Sequence, residues 1–566
     1  MSDPLALTVI LPLFGAGCLF LASRILLKPD IERVRFGAYV VALLVAGAVL
    51  TLVVILRTRD GVTALLSSWS SSLLAESGVR LGSNTWLWPV GLVLSLATCC
   101  LLLAELGRKH TASPLFAAMS LALLAGGLAA IWSANPLTTI LSWASCDLLL
   151  VLGQILAGGK SEGIARRLAF GSMSILFLWA GVLAAGNGTG SVQWSLMPPG
   201  GAKMTLWMLA GLLRLGAYPF HSATPTPMTS PSAFSVTLRL SPVLAWALWI
   251  RLILVSGDVL AENAWVIIPA VLTFAIGGFL GWAVRSPQEG RSWIGMGMTG
   301  ALLLGVVLVS LPGASQGAGQ EVALPTLTLG AAGWMLGVTV LFLGGGFDPG
   351  GLLRRDTLPG SIPSLVGALS IIGVPPTLGF AIGSSLMRGV TGVERWGGRV
   401  GFFLGQLFLV AAVIRWLFPS TPLQRPERND DRLFGRTAHH AALICTVLLH
   451  VVGGVAPMLL VAGSSRVSLG FLLAGPGLTG WLLWVGGLLI GGVLGWQDAY
   501  LRPRLSLWLD LLQDIVRLDW ALALLIGAFE RGLAVLRAVD DVLGGRGTLL
   551  WSLIILLLLI LVGRAT

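Results

Sequence analysis

Apolar runs of about 18 to 25 residues recur along the whole chain, each closed by a short stretch rich in glycine, proline or charge. About sixteen can be counted, at 5–27, 36–57, 84–107, 115–134, 136–157, 166–187, 203–220, 234–256, 263–284, 292–312, 325–346, 360–388, 398–418, 437–463, 472–495 and 548–564. At a rise of about 1.5 Å per residue, a run of about 20 crosses a hydrocarbon core of roughly 30 Å as a helix. The pattern predicts an all-α polytopic membrane protein of about 16 transmembrane helices. Residues 502–541 differ: charges recur between the leucines, which predicts an amphipathic helix lying on the bilayer interface or along a protein surface.

Two of the runs are interrupted. LLRLGAYPFHSATPTPMTSPSAF spans Leu212 to Phe234, and LSIIGVPPTLGFAIGSS spans Leu369 to Ser385. Either alone reads as an ordinary proline kink. Two such breaks in corresponding halves of a membrane protein mark an ion or substrate pathway, because lipid tolerates freed backbone groups only against protein or a wet cavity.

Composition agrees with the pattern: 55% of residues are hydrophobic, 11% are charged, and the mean hydropathy is +0.89. The net charge of +11 does not point to nucleic acid, since the basic residues lie between apolar runs. Loops after odd-numbered runs are richer in arginine and lysine than most even ones, which predicts both termini outside. Met-Ser-Asp-Pro gives no basic region before the first run, so that run reads as a span rather than a cleaved signal peptide. Cys18, Cys99, Cys100, Cys146 and Cys445 all fall within apolar runs and read as small packing residues. No dinucleotide fingerprint, phosphate loop, iron–sulfur cysteine series or haem attachment motif is present, so no cofactor is expected in this chain.

The stretch reaching Phe234 resembles span seven of the antiporter-like membrane subunits of respiratory complex I, Mrp cation/proton antiporters and membrane-bound hydrogenases. WSANPLTTILSW (132–143) resembles the approach to span five of that family, and RRLAFGSMSILFLWAGVLAAGNGTGS (166–191) resembles span six. RSWIGMGMTGALLLG (291–305), VLFLGGG (340–346) and GVPPTLGF (373–380) resemble spans ten, eleven and twelve. The motifs keep the family's order over about 115–420. The resemblance implies two inverted five-helix repeats with a broken helix in each, and a C-terminal lateral-type helix. It divides the chain into N-terminal helices (1–110), a first repeat (111–256), a second repeat (257–420), a C-terminal pair (421–500), and an amphipathic helix with a final span (501–566).

The family's proton path implies a glutamate on span five, a lysine on span seven, and lysine or histidine on spans eight, eleven and twelve. Here the span-five position is Ala144, with the carboxylate Asp147 three residues on, close to one helical turn. The span-seven lysine is replaced by Arg214, which keeps its charge but does not release its proton. Span eight offers Thr237 and Ser241 with Arg239 between them; spans eleven and twelve offer Trp334, Val338 and Gly383. The four lysines, Lys28, Lys109, Lys160 and Lys203, all lie in loops or at a span end. The second half therefore lacks the titratable groups a half-channel needs. Ionisable groups within spans are costly, which makes Asp147, Arg214, His221 and Arg239 the ion-path candidates. His221 also reads as a helix-break residue. Glu105 is either a charge at a subunit interface or one partner of a membrane-edge salt bridge.

The resemblance implies a membrane-arm subunit of a complex I-related assembly of the NADH-quinone oxidoreductase type. It would contribute to proton translocation or, with its lysines lost, mainly to structure. Flavin, iron–sulfur clusters and quinone would belong to partner subunits, and the setting would be a prokaryotic inner membrane. The alternatives are a subunit of an Mrp-like antiporter or other non-redox ion transporter, and a purely structural subunit.

Overall fold

The computed structural model describes residues 3–25, 32–59, 61–68, 78–108, 112–158, 161–186, 192–223, 233–257, 259–311, 319–344, 358–392, 396–418, 433–461, 467–544 and 552. Helices α1 (Pro4–Ile25) and α2 (Glu32–Leu56) precede a hairpin of β1 (Thr63–Ser68) and β2 (Gly78–Gly82). Then follow α3 (Trp88–Leu106), α4 (Pro114–Ile131), α5 (Pro136–Leu156), α6 (Ser161–Ala185), α7 (Ala202–Leu215), α8 (Ala233–Arg239) and α9 (Val243–Val255). The short α10 (Val259–Glu262) leads into α11 (Ile267–Ala283), α12 (Pro287–Ser310), α13 (Gly319–Leu343), α14 (Leu358–Ile371), α15 (Phe380–Gly392) and α16 (Trp396–Leu417). The series closes with α17 (Leu433–Val455), α18 (Leu469–Ala474), α19 (Leu478–Trp496), α20 (Asp498–Arg517) and α21 (Asp519–Gly544).

The chain is a polytopic helical membrane protein. Thirteen segments among the described residues are long and apolar enough to cross a membrane. The runs at 203–220 and 360–388 are not among them, because a break closes the first after α7 and divides the second between α14 and α15; the run at 548–564 lies outside the described residues apart from residue 552. Leucines and phenylalanines stay exposed on the outer helices, as at Phe14, Leu44, Leu183, Leu448 and Leu489, where lipid or partner chains would cover them.

The two breaks are built alike, residue for residue. Gly216 and Gly373 take left-handed backbone (φ 65° and 74°) just beyond α7 and α14. The next residue reaches five positions back: Ala217 N–H donates to the Leu212 carbonyl (3.1 Å), and Val374 N–H to the Leu369 carbonyl (2.9 Å). A cis proline follows three residues after each glycine, at Pro219 and Pro376. The freed backbone is then satisfied by neighbouring helices. Tyr218 N–H donates to Thr273 Oγ1 of α11 (2.9 Å), and Leu378 N–H donates to the His450 carbonyl of α17 (2.9 Å).

Small residues set the closest helix contacts. A Cβ on Gly277 of α11 would lie 2.4 Å from the Gly297 nitrogen of α12, so only glycine lets these backbones meet. The hairpin, unforeseen by the all-α reading, leans on the α4–α5 turn. Asn135 Nδ2 donates to the Gly78 carbonyl (3.0 Å), and Arg80 N–H donates to Thr138 Oγ1 (2.9 Å).

The chain folds as two compact units, Met1–Leu501 and Arg502–Thr566. The amphipathic run expected as one helix is two, α20 and α21, parted at Leu518, where φ is 54°. Trp508, Leu511, Leu512 and Ile515 form an exposed apolar stripe on α20.

Arg415 ties α16 to the chain beyond α19. Its Nε lies 3.0 Å from Asp498 Oδ2, and it donates to the carbonyls of Trp282 and Val284 (2.6 Å each) and Arg285 (2.8 Å) at the end of α11. Both charges are buried. Arg415→Leu, leaving Asp498 and those carbonyls without their donor, is expected to cost about 3–5 kcal/mol. A lowered thermal unfolding midpoint of the detergent-purified chain is the check; an unchanged midpoint would contradict it.

Candidate functional site: a buried ion pair beside an arginine-lined cavity

Asn135 starts α5 by accepting from Thr138 N–H (2.8 Å), with Pro136 in the first turn, and this sets the rotation of the helix. Three turns on, Asp147 projects into the bundle, 6% exposed. Its Oδ2 lies 2.5 Å from an Arg214 nitrogen in the last turn of α7. Gly171 of α6 makes room for the carboxylate, since a Cβ there would sit 2.7 Å from Oδ2. The Arg214 guanidinium also lies 4.9 Å from the Trp143 ring centroid and donates to the Trp143 carbonyl (3.4 Å). The carboxylate is thus held by a group that keeps its proton, beneath an indole and against a glycine. This geometry neutralises the carboxylate with a group that keeps its proton.

Arg214 also lines a cavity of about 50 Å³ between the two halves of the sequence. Its wall includes Arg239, Ser241, Arg291, Ser292, Thr299 and, from α13, Trp334 and Val338. Arg239 donates to Ser292 Oγ (2.7 Å), and its guanidinium lies 3.9 Å from the Phe342 ring centroid. On α6, Arg167 donates to Ser241 Oγ (2.9 Å). The space admits about three to five waters. The positions picked out on spans seven, eight and eleven, Arg214, Ser241, Trp334 and Val338, therefore converge on one cavity, and Arg239 joins them.

The other candidates lie elsewhere. His221, in a short 3₁₀ turn at Phe220–Ala223, is buried between the rings of Tyr218 (centroids 5.4 Å apart, 8° between planes) and Trp293 (5.3 Å). Glu105, 1% exposed near the end of α3, pairs with Arg108 (3.3 Å) and accepts from Ala112 N–H (3.1 Å), so it braces the α3–α4 connection.

Three groups escaped the sequence reading. Arg167 and Arg291 stand near helix starts; the fold sets Arg291 on the cavity wall and Arg167 against Ser241 of that wall. His450 of α17, fully buried, brings Nδ1 to 2.8 Å from Ser370 Oγ at the second break, and that hydroxyl also accepts from Gly379 N–H (3.1 Å). A buried imidazole thus stands at the second break, supplied by α17. No local pattern could reveal it, because the contact spans 80 residues.

No protein-family model and no curated protein sequence matches the chain. Its fold is that of membrane subunits in solved complexes. A chain of the Mrp complex from Dietzia sp. DQ12-45-1b superposes with a TM-score of 0.74 at 16% identity, covering 100% of this chain. This chain spans only 63% of that one. A chain of the membrane-bound sulfane sulfur reductase, an archaeal respiratory membrane complex, gives 0.70 at 15% identity over 99% of this chain and 100% of that one. A chain of respiratory complex I from Thermus thermophilus with bound NADH gives 0.61 at 16% identity, over 87% of this chain and 100% of that one.

A double-mutant cycle tests the pair. Asp147→Asn and Arg214→Gln should each destabilise the bundle by about 3–5 kcal/mol, each stranding one buried charge. The double variant should lose less than their sum, with a coupling of about 0.5–3 kcal/mol. Additive losses in thermal or denaturant unfolding would show that the two charges do not act on each other.

Proposed function

We propose that this chain is an antiporter-like membrane-arm subunit of a complex I-related, redox-driven assembly, in which it serves chiefly to build the arm. The fold supports the first part, since its likeness to subunits of multi-subunit respiratory and antiporter complexes runs through nearly the whole chain. The site supports the second, and the Asp147–Arg214 pair is the observation that carries it. In the resembling family a lysine stands at this place, and burial can bring a lysine to release its proton; a guanidinium cannot follow. In the second half, Trp334, Val338 and Gly383 occupy the corresponding positions, with His450 the buried titratable group at the break.

On this reading electrons pass through other subunits, which hold flavin, iron–sulfur clusters and a quinone site. The assembly sits in a prokaryotic inner membrane with both termini of this chain outside. A second reading, a subunit of an Mrp-like cation/proton antiporter, is favoured by the superposition on the Mrp chain. It asks for ion-exchanging groups along both halves, which the arginines and apolar substitutions supply poorly.

Affinity purification of the tagged chain in mild detergent, followed by mass spectrometry, separates the two. Iron–sulfur proteins with flavin or hydrogenase subunits are expected to co-purify. Recovery of Mrp-type subunits alone, or of no partner, would overturn the redox reading.

A further inference from the structure

Each buried arginine in this bundle has to be neutralised, and most have a visible means. Arg251 of α9 donates to the carbonyls of Ala130 (2.9 Å) and Ile131 (2.5 Å), the negative end of α4. Arg415 has Asp498 and the last carbonyls of α11, and Arg214 has Asp147. The cavity cluster is different. Among the described residues, Arg239 and Arg167, each about nine-tenths buried, donate to the neutral hydroxyls of Ser292 and Ser241 alone. Arg291, also on the cavity wall, has no hydrogen-bond partner among the described residues, and the Nε atoms of Arg167, Arg214, Arg239 and Arg291 are buried without one.

Three guanidiniums, those of Arg214, Arg239 and Arg291, therefore line one cavity, with Arg167 held against its Ser241, and among the described residues the carboxylate paired with any of them is Asp147, engaged by Arg214. Glu289 does not line this cavity; two positions before Arg291 on α12, it projects from nearly the opposite side of the helix. Arg291 also sits just past the first turn of α12, where the helix dipole opposes a cation and favours an anion. Positive charge gathered this way between apolar spans is costly unless something negative or strongly polar faces it. Orphaned buried donors on a cavity wall point to an ion or water held there.

We propose that the cavity binds a small inorganic monovalent anion of chloride size. Arg239 and Arg291 form its charged wall, Ser241, Ser292 and Thr299 add hydroxyls, and Arg214 and Arg167 stand behind. The volume of about 50 Å³ accommodates such an ion with one or two waters. The bound anion joins α7, α8, α12 and α13 through one charge, and so bridges the parts of the chain that carry the first break and the second-half helices. This inference does not depend on which assembly the chain belongs to.

The test is thermal unfolding of the full chain in lipid nanodiscs, with sodium chloride replaced stepwise by sodium gluconate at constant ionic strength. The midpoint should rise saturably with chloride in the wild type. Arg239→Gln and Arg291→Gln should each weaken the half-saturating chloride concentration by about tenfold or more, the loss of one charged contact. Arg57→Gln, a change on an exposed arginine, should keep the wild-type response. Superimposable chloride and gluconate curves, or a wild-type response in the Arg239 and Arg291 variants, would overturn the proposal. Where those variants do not fold, anomalous scattering from wild-type crystals grown in bromide decides it. A bromide peak between Arg239 and Arg291 is expected, and its absence there would be contrary.

Discussion

Neutralising positive charge inside an apolar bundle is the constraint on which the interior of this protein depends. An isolated buried charge costs several kcal/mol even after relaxation, so every interior arginine must be placed against something negative or strongly polar. The chain uses three kinds of partner: a carboxylate for Arg214, helix-end carbonyls for Arg251, and both together for Arg415. Each solution joins two or more helices that are distant in sequence. The arginines are thus fasteners as much as charges, and their permanent protonation suits that role.

The two broken helices have their own economy. A glycine in left-handed conformation ends the first half-helix, the next amide reaches five residues back, and a proline prevents the helix from resuming. Thr273 serves the first break and His450 with Ser370 the second, so the same backbone device is completed by different side chains. In the first, charge stands close by; in the second, one imidazole does.

Much of this was legible in the sequence. Spans follow from hydropathy because lipid imposes one length and one composition on every helix that crosses it. The breaks follow from glycine and proline, whose backbone limits are local. The approach of Asp147 to Arg214 fits the resemblance, which sets these residues at the places of the family's glutamate and lysine. What stayed hidden is non-local. Nothing near residue 450 indicates that its imidazole meets Ser370, nothing near 167 that its guanidinium meets Ser241, and nothing near 291 separates a cavity arginine from a loop arginine. The hairpin was missed because two short strands between apolar runs carry too little alternation to stand out. The joint at Leu518 was missed because leucine rarely takes positive φ, and no glycine marked the turn.

The central claim is that the Asp147–Arg214 pair fastens helices and does not carry protons. In the redox-driven assembly proposed for this chain, the proton-to-electron ratio in sealed vesicles, measured with the doubly neutral Asp147→Asn/Arg214→Gln chain, tests it most directly. Removing both charges leaves none stranded, so assembly should survive and the ratio should equal that of the wild type. An intact complex with a lowered ratio would contradict the account and place the pair on a working proton path.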